Sequence, residues 1–218
     1  MIDYSAARLN MVEGQLRTNK VTNESVLAAF LAVPRERFVP PALAGIAYVD
    51  DDVPLGGGRV LLQPMVLARL LQLAAITPAD RVIEIGAATG YATALVARLG
   101  AQVVAVECDA GLIATARTRL RELGTANVTL VEGPLERGHP AAAPYDVILI
   151  GGAVAVIPDE IARQLAEGGR LVTVLRSGDG MGQGMVMTRV EGILSRRPVF
   201  DAATALLPGF EPAPAFVF

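Results

Sequence analysis

The segment Val82-Ile83-Glu84-Ile85-Gly86-Ala87-Ala88-Thr89-Gly90-Tyr91 is the strongest indication of the fold of this chain. Its first residues predict a buried strand that breaks at Gly86 into a tight glycine turn, and a helix begins at about Ala92. The next apolar run ends in an acidic residue, Glu107. A strand–turn–helix brings backbone close to a ligand, and a carboxylate about twenty residues further on binds ribose hydroxyls. The pattern therefore predicts a site for a nucleotide-like cofactor.

The spacing of the glycines separates two classes of cofactor. The turn reads Gly-x-x-x-Gly, and Tyr91 stands where a dinucleotide fingerprint has its last glycine or alanine. This spacing favours S-adenosylmethionine over NAD. The predicted cofactor-binding residues around the turn are Glu84, Gly86, Ala87, Ala88, Gly90, Glu107 and Cys108.

The glycine turn, Glu107, Glu84 and Cys108 each have a plainer alternative. The glycine turn is also consistent with a simple strand–helix connection, and Glu107 with a solvated carboxylate at a strand end. Glu84 is expected to bind near the turn or the cofactor amino group, with a structural pairing as the alternative. Cys108 has no cationic neighbour in the sequence and is also consistent with packing.

The composition is that of one domain. The chain has 218 residues, 52% of them hydrophobic, which suits an α/β sheet covered on both faces. A net charge of −3 does not point to nucleic acid or to an anionic membrane. No apolar stretch reaches the ~20 residues of a membrane span, and no secretory signal is visible. We expect a single cytoplasmic domain, with an N-terminal helical, substrate-side extension (1–78) and a Rossmann-like core (79–218).

Strands and helices alternate through most of the chain, which predicts a parallel sheet with right-handed crossovers. Before the alternation begins, a helix is expected to start within Thr22-Asn23-Glu24-Ser25 and another to run from Pro64 to Ile76. The expected strands are 81–85, 102–106, 128–131, 146–150 and 170–175, and the expected helices between them are 92–99, 110–123 and 158–166. After a loop at 178–184, segments 185–190 and 194–200 predict a hairpin at one edge of the sheet, and 215–218 a last strand.

An ordered set of motifs resembles the protein-L-isoaspartate O-methyltransferases. The resemblance covers roughly residues 11–175 and implies a seven-stranded S-adenosylmethionine-dependent methyltransferase sheet, mostly parallel with an antiparallel edge strand. It also implies cytoplasmic enzymes that methylate the side-chain carboxylate of isoaspartyl or D-aspartyl residues in damaged proteins. The motifs are Met11-Val12-Glu13-x-Gln15-Leu16, Val33-Pro34-Arg35-x-x-Phe38-Val39-Pro40, Ala47-Tyr48-x-Asp50, Pro54-Leu55-Gly56, Gln63-Pro64, Glu84-Ile85-Gly86-x-x-x-Gly90-Tyr91, Asn127-Val128, Pro144-Tyr145-Asp146 and Gly168-Gly169-Arg170-Leu171-Val172.

Two positions depart from the family pattern. Leu62 stands where the family has a serine beside the reacting carboxylate, and Pro134 stands where it has an aspartate that accepts from the adenine amino group. Pro134 lacks both that carboxylate and a backbone N–H. By position, Leu62 and Gln63 are predicted to lie beside the substrate, and Pro134 and Leu135 beside the cofactor.

The predicted reaction needs no catalytic acid or base, because a carboxylate is already ionised at neutral pH. No catalytic residue is therefore predicted. No metal site is predicted either, because the sequence has no zinc spacing and no histidine near Asp50–Asp52, which is expected to be a solvated acidic turn. His139 is expected to lie in a surface loop. Gly56–Gly58 is expected to be a lid or a flexible connector, and Gln63 to line the cleft or cap a helix. Leu62, Pro134 and Ala88 keep two alternatives open: a methyltransferase for another acceptor, or a non-catalytic binding module with this fold.

Overall fold

The computed structural model describes residues 2–100, 102–176 and 180–211. The strand expected at 215–218 and part of the loop expected at 178–184 lie outside these ranges. None of the helices within them is long and apolar enough to cross a membrane.

The N-terminal part is helical, as expected. Asp3 caps the first helix by accepting hydrogen bonds from the backbone N–H groups of Ser5 and Ala6, and Asn23 caps the second through the N–H of Val26. The second helix ends before Pro34, which disfavours helical backbone in the residue before it. The elements are α1 (Tyr4–Met11), a π turn (Val12–Leu16), a 3-10 turn (Arg17–Asn19), α2 (Glu24–Ala32), and 3-10 turns at Arg35–Phe38 and Pro41–Ile46.

A small β-hairpin follows, which the sequence pattern did not predict. Its strands are β1 (Val53–Gly56) and β2 (Arg59–Leu61), paired antiparallel and forming a sheet of their own. The glycines that were expected to form a lid or a connector include its turn, Gly57 and Gly58, which take positive φ angles of 56° and 75°. Strands of three or four residues are too short to show an alternating pattern. Helix α3 (Pro64–Ala74) then begins at Pro64, as expected.

The main sheet has seven strands in the order β5-β4-β3-β6-β7-β8-β9. Strands β3 to β7 are parallel, and the β8–β9 hairpin continues the sheet antiparallel, so the predicted α/β sheet with an antiparallel edge is confirmed. The elements are β3 (Arg81–Ile85), α4 (Tyr91–Leu99), β4 (Gln102–Glu107), α5 (Ala110–Glu122), β5 (Val128–Glu132), β6 (Tyr145–Val154), α6 (Asp159–Ala162), β7 (Leu165–Leu175), β8 (Gly182–Val190) and β9 (Ile193–Ala202).

The main departure from the predicted elements lies between β6 and β7. The helix expected over 158–166 is only the four residues of α6, because Leu165 already pairs with Tyr145 at the start of β7. The register then shifts before Val147 pairs with Arg170. The strand expected from Arg170 therefore begins five residues earlier.

Both faces of the central strands β3 and β6 are buried, and neighbouring residues of one strand enter different cores. Val82 joins a cluster with Met11 and Phe30, so the N-terminal helices and the sheet share a core. Ile83 joins the opposite cluster, which includes Leu207 and Phe210 from the segment after β9. The chain runs from β3 towards one edge and from β6 towards the other, which makes the carboxyl ends of these two strands a topological switch point.

Candidate cofactor and acceptor site

The glycine turn lies at this switch point. The N–H groups of Gly86 and Ala87 donate to the carbonyl of Val106, at 2.9 and 3.1 Å, which holds the turn against β4. Gly90 has a φ of 90°, and a Cβ there would lie 3.1 Å from the Cβ of Ala116. Glycine is therefore required at position 90 by both backbone conformation and space. Ala88 also has a positive φ, 48°, a conformation that favours glycine.

Glu107 ends β4 and faces the turn. Its Oε2 accepts a hydrogen bond from the N–H of Ala88 at 2.6 Å, and its Oε1 accepts from the N–H groups of Cys108 and Asp109 at 2.9 and 3.1 Å. The side chain is buried, so it is not the solvated strand-end carboxylate of the plainer alternative.

Arg59, in β2, pairs with Glu107 through both branches of its guanidinium. Nη1 lies 2.5 Å from Oε1, and Nη2 lies 2.9 Å from Oε2. Burial would raise the pKa of Glu107, but the hydrogen bonds and charge of Arg59 outweigh it and hold that pKa below its usual range. Sequence reasoning missed Arg59, because no spacing rule connects it to a residue 48 positions later.

Glu84 lies one strand away, in β3, and is also buried. Its Oε2 has no hydrogen-bond partner among the described residues. Burial, with repulsion from Glu107, raises the pKa of Glu84 to about 7. The site therefore holds two carboxyl groups of different character: Glu107 is ionised and paired, whereas Glu84 is about half protonated at pH 7.

The predicted acceptor segment meets the glycine turn. Leu62 lines one narrow cavity together with Glu84, Gly86, Ala87 and Ala88, and the volume of this cavity is about 20 Å³. The structure thus brings together residues that are more than twenty positions apart in the sequence.

Gln63 does not cap α3 with its side chain. Its Nε2 donates instead to the backbone carbonyl and the Oδ1 of Asp50, both at 3.0 Å. Its N–H donates to Oδ1 of Asp52 at 2.7 Å. The acidic turn at 50–52 therefore holds the acceptor segment in place. Within the described parts of the chain, no cluster of three or more His, Cys, Asp or Glu residues could hold a metal ion.

A second arginine that sequence reasoning did not single out supports the same segment. Arg35 is completely buried, and its Nε donates to the carbonyl of Ala47 at 2.6 Å. Its Nη2 donates to the carbonyl of Leu62 at 2.8 Å, and the guanidinium lies 5.0 Å from the ring centroid of Tyr91. The only sequence signal for Arg35 was its place in the Val-Pro-Arg motif.

The remaining predicted cofactor residues lie at the ends of β4 and β5. Pro134 precedes a 3-10 turn, Leu135–Arg137, and the Leu135 side chain is buried in the core that contains Val106. The exposed Cys108 has its Sγ 3.5 Å from Oε1 of Glu107, and burial of part of the side chain raises the pKa of the thiol. The contacts of these three residues with a cofactor stay a prediction.

A parallel sheet with a glycine turn and a strand-end carboxylate at its switch point defines an α/β protein with a site for a nucleotide-like cofactor. The family model described as protein-L-isoaspartate(D-aspartate) O-methyltransferase matches residues 7–193. The chain belongs to this family.

Individual relatives agree with this assignment. A protein-L-isoaspartate O-methyltransferase of Methylorubrum extorquens (strain PA1) is 46% identical over 170 residues, which cover 78% of this chain and 74% of the relative. One from Aromatoleum aromaticum is 40% identical over 210 residues, 95% of this chain and 94% of the relative.

Solved structures show the same fold. A protein-L-isoaspartate O-methyltransferase superposes with a TM-score of 0.80 at 26% identity, over 93% of this chain and 66% of that one. A Plasmodium falciparum protein described as a putative protein-L-isoaspartate O-methyltransferase, in complex with S-adenosyl-L-homocysteine, also gives a TM-score of 0.80, at 18% identity, over 95% of this chain and 99% of that one.

Proposed function

We propose that this chain is an S-adenosylmethionine-dependent methyltransferase that methylates the side-chain carboxylate of isoaspartyl or D-aspartyl residues in damaged proteins. The observation that carries the proposal is the meeting of the acceptor segment at Leu62 with the glycine turn and Glu84, in a chain that belongs to this family.

The polar groups of the site suit the cofactor. Glu107 carries the oxygens that would take the ribose hydroxyls, and the unpartnered Oε2 of Glu84 would accept from the amino group of the methionine part. Gly86, Ala87 and Ala88 line the cavity between the glycine turn and the acceptor segment. When bound, S-adenosylmethionine supplies a methyl group that is already electrophilic.

The chain then has to align the acceptor and exclude water. The acceptor carboxylate has an ordinary pKa near ~4, so no side chain has to remove a proton from it at neutral pH. Leu61, Leu62 and Leu67 give the cavity an apolar wall, which removes water from the carboxylate and from the site of transfer. Gln63 and Arg35 keep this wall in position through Asp50, Asp52 and the carbonyl of Leu62.

Transfer of label from S-adenosylmethionine tests the proposal. We expect a base-labile methyl ester on a peptide with one isoaspartyl residue, and none on the same peptide with an ordinary aspartyl residue. A Glu107→Gln variant is expected to lose most of this activity, because the amide cannot accept from both ribose hydroxyls as the carboxylate does. Equal labelling of the two peptides, or labelling of neither, would contradict the isoaspartyl assignment.

Leu62 favours a second candidate, a methyltransferase for a different acceptor. The side chain is buried and apolar at the position of the family's serine, so it offers no hydrogen bond to a carboxylate. In that case S-adenosylhomocysteine binds, while isoaspartyl peptides are not methylated.

The remaining parts of the proposal follow the family resemblance. We propose one methyltransferase domain with its extension at 1–78 and its core at 79–218, a cytoplasmic location, and a protein or peptide partner. The net charge of −3 gives no reason to add nucleic acid to these partners.

A further inference from the structure

The ion pair between Arg59 and Glu107 lies inside the proposed cofactor site. The side chains of Arg59 and Glu107 are 5% and 0% exposed. Nη2 of Arg59 also lies 3.5 Å from the point where a Cβ on Gly86 would be, so the guanidinium covers the start of the glycine turn.

Glu107 has no acceptor capacity left for a ribose in this arrangement. A carboxylate offers about four lone-pair sites. Glu107 already accepts five N–H hydrogen bonds: two from Arg59 and one each from the backbone of Ala88, Cys108 and Asp109. The three backbone donors belong to the turn and to the end of β4, and only the Arg59 side chain can leave without unfolding either.

The space beside the pair leads to the same conclusion. A cavity of about 20 Å³ holds a single water molecule, whereas pockets for small ligands usually measure about 300 Å³ or more. Arg59 begins a three-residue strand whose sole pairing partner within 2–100, 102–176 and 180–211 is β1, and the hairpin turn contains consecutive glycines with positive φ. The residue that closes the site is therefore carried by a short element outside the main sheet.

We propose that Arg59 competes with the cofactor's ribose for Glu107, so that cofactor binding requires the exchange of this ion pair and Arg59 sets the cofactor affinity. The inference rests on the proposed function, because it takes the cofactor to be S-adenosylmethionine. The exchange is a binding step, and no bond is made or broken in it.

Calorimetric titration with S-adenosylhomocysteine at pH 8 tests this competition. We expect Arg59→Met to bind at least tenfold more tightly than the unmodified chain. The substitution removes the group that competes with the ribose for Glu107. It also leaves the charge of Glu107 without Arg59, so that the ribose hydroxyls become its partners. Both effects raise the affinity for S-adenosylhomocysteine. The matched control is Arg163→Met, an exposed arginine beside the amino end of β7, which should not change the affinity.

A double-mutant cycle separates competition from a general loosening of the site. In a Glu107→Gln background, Arg59→Met should leave the affinity unchanged, because the contested carboxylate is gone. Should Arg59→Met fail to fold, Arg59→Lys keeps the charge but loses the two-branched contact, and it should still bind more tightly than the unmodified chain.

The outcomes also separate this inference from the proposed function. Equal or weaker binding by the Arg59 variants, with the unmodified chain still binding, overturns the competition and leaves the cofactor assignment intact. Absence of binding by every variant overturns both.

Discussion

At the scale of single residues, the two buried carboxyl groups of the site show how strongly a charged partner affects the pKa of a carboxyl group. Glu84 and Glu107 lie on neighbouring strands and are both removed from water. Burial raises the pKa of each, but Glu107 also receives Arg59 and three backbone N–H groups, and its net shift is downward. The partner, more than the depth of burial, decides the charge that each group carries at neutral pH.

We expect Glu84→Gln to stabilise the protein at pH 8 and to have little effect near pH 4.5. The pKa of Glu84 in the folded state is about 7, above its ordinary value of 4.5, so the folded state loses stability as the pH rises between these values. A shift of this size corresponds to about 3 kcal/mol. Urea unfolding of both proteins at the two pH values measures the difference, with exposed Glu160→Gln as the control. If the free energy of unfolding depended on pH in the same way for Glu84→Gln and the unmodified chain, the raised pKa of Glu84 would be contradicted.

We expect Leu62→Ser to lower the KM for an isoaspartyl peptide by up to about tenfold, the value of one added hydrogen bond. The same change should lower the free energy of unfolding by about 2–4 kcal/mol, because it removes a buried leucine. Steady-state kinetics and urea unfolding measure the two effects. Leu70→Ser is the control, a buried leucine of α3 that does not line the cavity: it should lose stability without gaining substrate affinity. An unchanged KM for Leu62→Ser would show that position 62 does not contact the acceptor.

At the scale of elements, several short segments near the site depend on Arg35 for their arrangement. The guanidinium donates to the carbonyls of Ala47 and Leu62, which joins the 3-10 turn at Pro41–Ile46 to the start of α3. The pKa of Arg35 is lowered by burial, which outweighs the favourable charge of Asp52. In the described part of the chain no carboxylate lies within ion-pair distance of Arg35. Its role is to satisfy carbonyl groups that would otherwise be buried without donors.

We expect Arg35→Met to lower the free energy of unfolding by about 2–5 kcal/mol, because two buried carbonyl groups lose their donors. A buried ion pair replaced by apolar side chains is often neutral, but the partners here are carbonyls that stay in place. Chemical denaturation measures the loss. Arg37→Met provides the control: Arg37 pairs with Glu122 at the surface, and its loss should cost at most about 1 kcal/mol. Equal costs for the two variants would rule out this role for Arg35.

At the scale of the whole molecule, three segments that are distant in the sequence meet at the site: the loop before β1, the end of β6 and the segment after β9. The segment after β9 crosses the carboxyl edge of the sheet, where the N–H of Ala153 donates to the carbonyl of Ala205 and the N–H of Leu207 to the carbonyl of Ala153. Thr204 Oγ1 donates to Oδ2 of Asp52 at 2.6 Å, which joins this segment to the loop before β1. Closure of the site is therefore a property of the complete fold.

We expect Leu207→Ala to lower the free energy of unfolding by about 2–4 kcal/mol. Leu207 is buried, and its methyl groups lie about where side chains on Gly86 and Gly152 would be. Alanine would leave a cavity above both glycines. Urea denaturation measures the loss, and Leu9→Ala is the control, since Leu9 is 49% exposed and its loss should cost little. A cost for Leu207→Ala no greater than that of the control would mean that this segment does not close the site.

Much of the fold could be predicted because it depends on local patterns. The helix start at 22–25, Pro64 as a first helical residue and the apolar run before Gly86 each depend on a few neighbouring residues. The structure has these elements where they were expected. The β1–β2 hairpin and the short α6 escaped prediction because their bounds are set by pairing with other segments.

The amino-acid pattern alone was enough to predict the glycine turn, the carboxylate at the end of the next strand and the family to which both belong. The pairing of Arg59 with Glu107 and the hydrogen bond from Arg35 to the carbonyl of Leu62 became visible in the folded chain. The two kinds of feature differ in the distance along the chain over which their causes act. Backbone preference and hydrophobic periodicity act between neighbours along the chain, whereas a buried charge takes its partner from whichever segment the fold brings beside it.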